Sequence, residues 1–340
     1  MIIRQRKPPW LPALAAALAL CLLVAHGDDA LADARRGWIE GSISAGGHSR
    51  HYLVFVPEAL PPGAPVVVLL HGSRQGMRSL FEADAGGVRE WPLLARREKF
   101  LLVVPNGTNL KTGDTDGDRQ DWRSRRPELL QAGVAGDDAR FIMSMLDEVI
   151  RNRRADPSRI YLTGQSGGAV MAASLLLASP RRFAAAALFS LALPSAMAAG
   201  SAGYRPCPLM LLSGTADPLV PWTEASRRES GETVMSARES AGWWVVANRA
   251  DAIAPVTSFL PDRDPRDGCR IRRTEYRPLK GGEPVLLYVV EGGGHAMPSR
   301  RHPSSVTSAS RRMTGNVCRD AEGVELAWGF LSGFRLLQVN

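Results

Sequence analysis

The sequence predicts a doubly wound α/β domain, with a mostly parallel sheet and helices on both of its faces. Segments typical of strands and of helices alternate along the chain, as a parallel sheet with crossover helices requires. Several strand segments are continuous apolar runs such as Val66–Leu70, which is typical of strands buried on both faces. No repeat with a period of about 20–50 residues and no Pro- or Ser-rich linker divides the chain into two cores.

The predicted strands are short segments rich in β-branched and apolar residues: residues 51–57, 65–71, 100–105, 159–164, 183–190, 208–214 and 284–291. Asp137 or Asp138 can cap a helix whose apolar residues recur at helical spacing as far as Ile150. The other predicted helices are residues 169–177, 226–248 and 321–337. The Pro-, Gly- and Arg-rich stretches are predicted to be loops or surface insertions: residues 106–135, 191–206 and 254–283.

The charge of the chain does not point to nucleic acid. Its 340 residues include 42 basic and 34 acidic side chains, a formal net charge of +8. A surface that follows phosphates needs clustered basic residues together with aromatic or groove-reading elements. Here the arginines are scattered along the chain, so we expect no nucleic-acid partner and interpret the charge as an arginine-rich surface.

The N-terminal 32 residues have the organisation of a secretory signal peptide. Basic side chains occur within residues 4–7, an apolar run follows over residues 10–25, and residues 30–32 form a small-x-small cleavage pattern. The run is short for a membrane span, for which about 20 apolar residues are typical, and a retained anchor is the alternative. We therefore expect residues 33–340 to form one domain, secreted or periplasmic, without stable membrane insertion.

The cysteines and the acidic loop do not predict a metal site. Cys269 and Cys318 lie in loop-like sequence and Cys207 next to a buried strand, so we expect a disulfide between the first two. No Cys-x-x-Cys pattern is present that would indicate zinc. Residues 114–118 resemble the start of a calcium loop, but Arg125 stands where the glutamate ligand would be.

A candidate nucleophile lies between a predicted strand and a predicted helix. Residues 164–168 form a G-x-S-x-G pattern directly after an apolar strand and before an alanine-rich helix. The turn from strand to helix is tight, and glycines on either side of Ser166 leave room for the neighbouring backbone. The same turn puts Ser166 at a helix N-terminus, where unpaired N–H groups favour negative charge.

A serine hydroxyl needs a base to become a nucleophile, and His295 is the best candidate by position. It follows three glycines directly after the last predicted strand, on a loop that we expect to be mobile. His71 ends another strand, and we expect it to structure its loop rather than to act as a base. We interpret the remaining histidines of the predicted mature chain as surface residues: His48, His51 and His302.

Asp217 is the candidate carboxylate that would orient this base. It lies just beyond a buried strand, and the order Ser166, Asp217, His295 is that of the α/β-hydrolase fold rather than that of chymotrypsin or subtilisin. The alternative acids are Asp137 and Asp138, which precede the serine, and Glu291, which lies inside a strand.

The same layout predicts an oxyanion hole. One N–H group would come from Gly167, the residue after the nucleophile. The second would come from the loop after the Val66–Leu70 strand, from Ser73 or Arg74. Such a site transfers an acyl group to water, and we expect neither a metal nor an organic cofactor.

Six motifs occur in an order that resembles the polyhydroxybutyrate depolymerase and feruloyl esterase family of secreted serine esterases. They are residues 70–72 (LHG), 104–107 (VPNG), 136–138 (GDD), 156–164 (DPSRIYLTG), 214–221 (GTADPLVP) and 293–298 (GGHAMP). The resemblance spans roughly residues 51–330. It implies the α/β-hydrolase fold, hydrolysis of carboxylic esters, and Ser166, Asp217 and His295 as the catalytic residues.

The chain also departs from the pattern of this family. Ala169 replaces a glycine after the nucleophile, and Met297 replaces a tryptophan that follows the histidine. Met297 and Trp122 are the residues that the resemblance implies near the substrate. No substrate-binding module follows the last predicted helix, so we expect soluble or oligomeric esters rather than solid polymer. The alternative functions are a serine peptidase of the same fold and a catalytically dead secreted binding protein.

Overall fold

A computed structural model describes residues 36–81, 86–123, 137–179, 181–227, 231–302 and 313–337. The chain divides into two units, residues 1–38 and residues 39–340, and the fold described below is that of the second. The predicted signal peptide lies outside the described residues. Within the described ranges, no helix combines the length and the apolar character that crossing a membrane requires.

The centre of the second unit is a ten-stranded sheet in the order β1-β2-β4-β3-β5-β6-β7-β12-β11-β10. Its strands are β1 (Trp38–Ala45), β2 (His48–Phe55), β3 (Val66–Leu70), β4 (Leu101–Pro105), β5 (Ile160–Gln165), β6 (Ala185–Phe189), β7 (Leu209–Gly214), β10 (Val256–Phe259), β11 (Arg270–Tyr276) and β12 (Val285–Glu291). The six strands from β4 to β12 in this order are parallel, whereas β2, β11 and β10 pair antiparallel with their neighbours. Strands β8 (Ser226–Arg227) and β9 (Thr233–Val234) form a separate pair.

The helices are α1 (Trp91–Glu98), α2 (Asp137–Arg153), α3 (Gly167–Ala178), α4 (Ser195–Ala199), α5 (Ala237–Ala247) and α6 (Gly323–Leu331). The side chains of α2, α3 and α5 share one core with Val66, Val68 and Leu70 of β3. On the opposite face, Trp328 of α6 packs against Tyr161 of β5, because successive strand residues point to opposite sides of the sheet. The predicted fold, with helices on both faces of a mostly parallel sheet, is confirmed.

The structure confirms all seven predicted strands to within about three residues at each end. Four predictions were wrong in other places. Residues 254–283 contain β10 and β11 rather than only loop, and residues 191–206 contain α4. The predicted helix 226–248 begins at Ala237 after the β8–β9 pair, and the predicted helix 321–337 ends at Leu331. The start of α5 is fixed by a capping box in which Ser236 and Glu239 bond each other's backbone N–H groups. Helix α1 and strand β1 were not predicted.

Candidate active site

Ser166 lies in a strained turn between β5 and α3. Its backbone has φ 55° and ψ −120°, a conformation that a non-glycine residue rarely adopts. A Cβ on Gly164 would lie 2.6 Å from the carbonyl carbon of Gly168, and one on Gly168 would overlap the carbonyl oxygen of Leu70. The G-x-S-x-G pattern is therefore explained by close backbone approach around a serine held at the end of the sheet.

His295 and Asp217 are in direct contact. Nδ1 of His295 lies 2.8 Å from Oδ2 of Asp217, and both side chains are buried. The other carboxylate oxygen, Oδ1, accepts N–H groups from Leu219 at 2.8 Å and Val220 at 2.9 Å. Because the carboxylate can only accept, the proton of the pair lies on Nδ1, which leaves Nε2 of His295 as an acceptor.

The sheet explains why these two residues meet. Asp217 follows β7 and His295 follows β12, and these strands are parallel neighbours. Parallel neighbours end at the same edge of a sheet, so the residues after them lie side by side. The A-D-P turn and the glycine run were the sequence features that identified both positions.

The backbone of His295 is held from three sides. Its N–H donates to the carbonyl of Thr314 at 2.6 Å. Its carbonyl accepts from Nε2 of Gln165 at 2.6 Å and from Oγ of Ser190 at 3.3 Å. Gln165 immediately precedes Ser166, so this contact ties the histidine loop to the turn that carries the candidate nucleophile. Sequence reasoning missed Gln165, because the residue before the serine is unspecified in the motif.

Gly167 and Ser73, the residues predicted to form the oxyanion hole, lie close together. A Cβ on Gly167 would lie 3.0 Å from the backbone N of Ser73. The N–H of Arg74 donates to the carbonyl of Gln120 at 2.8 Å and is therefore already used. Within the described part of the chain, the N–H of Ser73 has no hydrogen-bond partner. Of the two alternatives, Ser73 is thus the residue with a donor to offer.

His71 structures the loop that carries Ser73. Its Nε2 accepts the N–H of Gly107 at 3.0 Å, so the ring proton lies on Nδ1, 2.9 Å from the carbonyl oxygen of Gly72. The ring is fully buried, and desolvation lowers the pKa of His71 to about 4. A neutral histidine with one fixed tautomer therefore connects two loops at the edge of the sheet.

Trp122 and Met297, which the resemblance implied near the substrate, both make packing contacts. The indole N–H of Trp122 donates to the carbonyl of His71 at 2.8 Å, and the two rings stack at a centroid distance of 4.4 Å. Met297 packs against Gly323 at the start of α6, where a Cβ would overlap its side chain. Both residues are buried, so we assign Trp122 to the His71 loop and Met297 to the contact with α6.

The alternative acids have other partners. Asp138 is fully buried and forms an ion pair with Arg50 at 2.5 Å. Glu291 pairs with Arg272 at 2.9 Å. Asp137 opens α2, and its side chain lies outside the described residues. These contacts leave Asp217 as the carboxylate on the histidine.

One further histidine differs from its predicted environment. His302, interpreted as a solvated surface residue, has Nε2 2.6 Å from the buried carboxylate of Glu90. This contact fastens the segment after the histidine loop to the turn that precedes α1.

The predicted cysteine pair and the acidic loop can both be located. Cys269 and Cys318 form a disulfide, and Cys207 is a buried free thiol. In the acidic loop, the carboxylate of Asp114 accepts the N–H groups of Asp116 and Gly117.

One exposed cluster of potential metal ligands lies nearby, formed by Glu40, His51 and Asp116. The guanidinium of Arg78 lies 2.6 Å from Glu40 and 3.0 Å from Asp116. The carboxylates of this cluster thus already have a cationic partner.

Comparisons with known proteins identify the family of the chain. The family model described as esterase PHB depolymerase matches residues 51–220, half of the chain. Poly(3-hydroxyalkanoate) depolymerase C of Paucimonas lemoignei is 33% identical over 132 residues, which cover 39% of this chain and 29% of that protein. Feruloyl esterase B of Thermothelomyces thermophilus is 29% identical over 137 residues, which cover 40% of this chain and 42% of that protein. The chain therefore spans less than half the length of these two relatives.

A solved structure shows the same fold. An acetyl xylan esterase from Aspergillus awamori superposes with a TM-score of 0.54 at 15% sequence identity, covering 81% of this chain and 98% of that one. At this identity the likeness concerns the fold alone.

Proposed function

The chain belongs to the esterase PHB depolymerase family, and from that premise we propose that it hydrolyses carboxylic esters with Ser166, His295 and Asp217 as its catalytic triad. The observation that carries the proposal is the 2.8 Å contact between His295 Nδ1 and Asp217 Oδ2. A second contact supports it, since Gln165 joins the histidine backbone to the turn of Ser166.

In the acylation step, Nε2 of His295 takes the proton of the Ser166 hydroxyl while Oγ of Ser166 attacks the ester carbonyl. The negative charge that develops on the carbonyl oxygen is stabilised by the N–H groups of Gly167 and Ser73. His295 then returns the proton to the departing alcohol, which leaves an acyl group on Ser166. Asp217 stabilises the imidazolium that exists between these two proton transfers.

In the deacylation step, the same groups act on water. Nε2 of His295 removes a proton from a water molecule, whose oxygen attacks the acyl carbonyl. The oxyanion hole stabilises the second tetrahedral intermediate, and the proton returns to Ser166 as the carboxylic acid leaves. The cycle consumes one ester and one water and restores the enzyme.

The proposal is tested with Ser166→Ala and a matched control at the other end of the same helix. We expect Ser166→Ala to lose turnover of p-nitrophenyl acetate and butyrate by at least about 10³-fold, with an unchanged circular dichroism spectrum. Ser179→Ala, at the C-terminal end of α3, is expected to retain wild-type turnover. Retained activity in Ser166→Ala would contradict the proposed nucleophile.

Two further measurements distinguish the alternatives. A matched pair of ester and amide substrates distinguishes an esterase from a serine peptidase of the same fold. Labelling of Ser166 by a fluorophosphonate probe distinguishes an active enzyme from a dead binding protein. The names of the relatives suggest hydroxyalkanoate and feruloyl esters, so the ester panel includes methyl ferulate and hydroxybutyrate oligomers.

We further propose that residues 33–340 form a single α/β-hydrolase catalytic domain that is secreted or periplasmic. The basic, apolar and small-residue order of residues 1–32 supports export, and so does the Cys269–Cys318 disulfide, since disulfides persist in oxidising compartments. N-terminal sequencing of the exported protein tests this proposal, with a first residue near position 33 as the expected result.

A further inference from the structure

A cavity of about 570 Å³ outside the triad is lined by three arginines and one aspartate. We call it the arginine cleft; its lining residues are Arg263, Asp264, Arg300 and Arg319. The first two belong to the loop between β10 and β11, and the other two follow the histidine loop and the disulfide. Residues from three separate segments therefore converge on one open space.

The positive charge of the arginine cleft is only partly neutralised. The guanidinium of Arg319 lies 3.0 Å from the carboxylate of Asp264 and 3.9 Å from that of Asp267. In the part of the chain that the structure describes, the guanidinium groups of Arg263 and Arg300 have no hydrogen-bond or ion-pair partner. Among the described residues, these two guanidinium groups of the cleft therefore form no ion pair, while Asp264 pairs with Arg319.

The backbone that carries these two arginines is fixed. The N–H of Arg263 donates to Asp320 at 2.7 Å, and the N–H of Arg300 donates to Glu322 at 3.0 Å. The carboxylates of Asp320 and Glu322 are both buried. The two loops are therefore held in place while their guanidinium groups stay available for a ligand.

The arginine cleft lies on the same edge of the sheet as the candidate triad. Strand β11 begins at Arg270, which pairs with Glu291 at the end of β12, so the loop before β11 adjoins the histidine loop. The segments after His295 and after Thr314 run side by side, since the N–H of Ser299 donates to the carbonyl of Cys318 at 2.9 Å.

The distance to the candidate triad can be bounded from the chain. Arg300 follows His295 by five residues, a path that spans at most about 18 Å. This bound joins the Cα atoms of His295 and Arg300, so a substrate that occupies both the candidate triad and the cleft is an extended oligomer.

We propose that the arginine cleft is a subsite for a carboxylate on the ester substrate, at the end remote from the scissile bond. The inference rests on the proposed esterase function and names the substrate class as anionic esters. A guanidinium binds a carboxylate through two parallel hydrogen bonds, and two such groups in one cleft select this anion over a neutral end group. The free acid end of a hydroxyacid oligomer and the carboxylate of an acidic sugar both carry this chemistry.

The experiment compares a hydroxybutyrate trimer that ends in a free carboxylate with the same trimer capped as a neutral amide. Initial rates of internal ester cleavage are measured by chromatography for the wild type, for Arg263→Gln/Arg300→Gln and for Arg266→Gln. Arg266 is an exposed arginine of the same loop outside the cleft lining and serves as the matched control. The second pair of acid and neutral substrates is an acetylated galacturonate oligosaccharide and an acetylated xylo-oligosaccharide. A dependence on the two arginines in this pair identifies an acidic sugar as the substrate that carries the carboxylate.

We expect the double variant to lose about tenfold in kcat/KM on the carboxylate trimer, mainly through KM, and less than about twofold on the amide trimer. Arg266→Gln is expected to match the wild type. The preference of the wild type for the acid should also shrink at about 0.5 M NaCl, because salt screens exposed charges. Equal losses on acid and amide, or no loss on either acid, overturn the subsite.

Failure of the subsite is distinguishable from failure of the proposed function. Turnover of p-nitrophenyl acetate by the double variant reports on the triad alone and is expected to be unchanged. If the wild type hydrolyses no ester, calorimetric titration of Ser166→Ala with both trimers replaces the kinetics. Tighter binding of the acid than of the amide supports the subsite, and equal binding overturns it.

Discussion

Lowering the pH should destabilise the protein through His71 in a way that can be measured. The ring is neutral in the folded state because Gly107 donates to Nε2 and the surroundings exclude water. Protonation would place two donors, Nε2–H and the N–H of Gly107, against each other inside the core. His71→Gln removes the titrating group, and an amide oxygen at this position can still accept the N–H of Gly107.

The direction and size of the effect follow from the pKa of His71, which burial lowers from 6.5 to about 4. Between these pH values the unfolded chain binds a proton that the folded protein excludes, so the free energy of unfolding falls as the pH falls. The stabilisation that neutral His71 contributes is fully present above about pH 6.5 and is lost near pH 4. It amounts to about 3 kcal/mol in full and to about 2 kcal/mol between pH 7.5 and pH 5.

The assay is urea unfolding followed by tryptophan fluorescence at pH 7.5, 6.5, 5.5 and 5.0, for wild type and His71→Gln in parallel. The variant is expected to be less stable at pH 7.5, but its stability should fall by about 2 kcal/mol less than that of the wild type on going to pH 5. Other titrating groups act on both proteins and cancel in the difference. If the difference between the two proteins is the same at every pH, His71 does not titrate as the structure requires.

The remaining predictions concern the candidate triad and its support. Asp217→Asn should lower kcat on p-nitrophenyl butyrate by about 10³- to 10⁴-fold with little change in KM, because an amide donor favours the wrong tautomer of His295. A loss below about tenfold would count against the assigned acid. Gln165→Leu should lower kcat by about tenfold at unchanged KM, since it removes the 2.6 Å contact to the His295 carbonyl. Ser190→Ala, whose contact is 3.3 Å, should lose less, and the reverse order would contradict the positioning role of Gln165.

The sequence was sufficient to predict the central sheet and the contact between Asp217 and His295, because both depend on local patterns. The strands buried on both faces are continuous apolar runs, as in Leu101–Pro105 and Val285–Glu291. Each triad residue lies in a turn directly after such a run, where parallel strands end at a common edge. Once the strands were predicted, the neighbourhood of Asp217 and His295 followed from topology.

Other features depend on contacts that no local pattern records. Strand β11 is rich in arginine and has only two fully buried side chains, so its composition resembles that of a surface loop. Its place in the sheet depends on pairing with β12. Arg50 and Asp138 are 88 residues apart, and their burial together depends on the packing of β2 against α2. Composition alone favours exposure for both residues.

The glycine run before His295 was predicted to make a mobile loop, and in the structure its backbone packs closely against neighbouring backbone. A Cβ on Gly294 would lie 2.6 Å from the Cα of Gly315 and overlap the carbonyl of Thr314, the group that accepts the N–H of His295. A Cβ on Gly214, at the end of β7, would overlap the carbonyls of the same run. Three stretches of backbone therefore pass within contact distance around the histidine, which side chains at these positions would prevent. Together with the hydrogen bond from Gln165, this packing holds His295, the proposed base, in place before substrate arrives, as stabilisation of a transition state by a preorganised site requires.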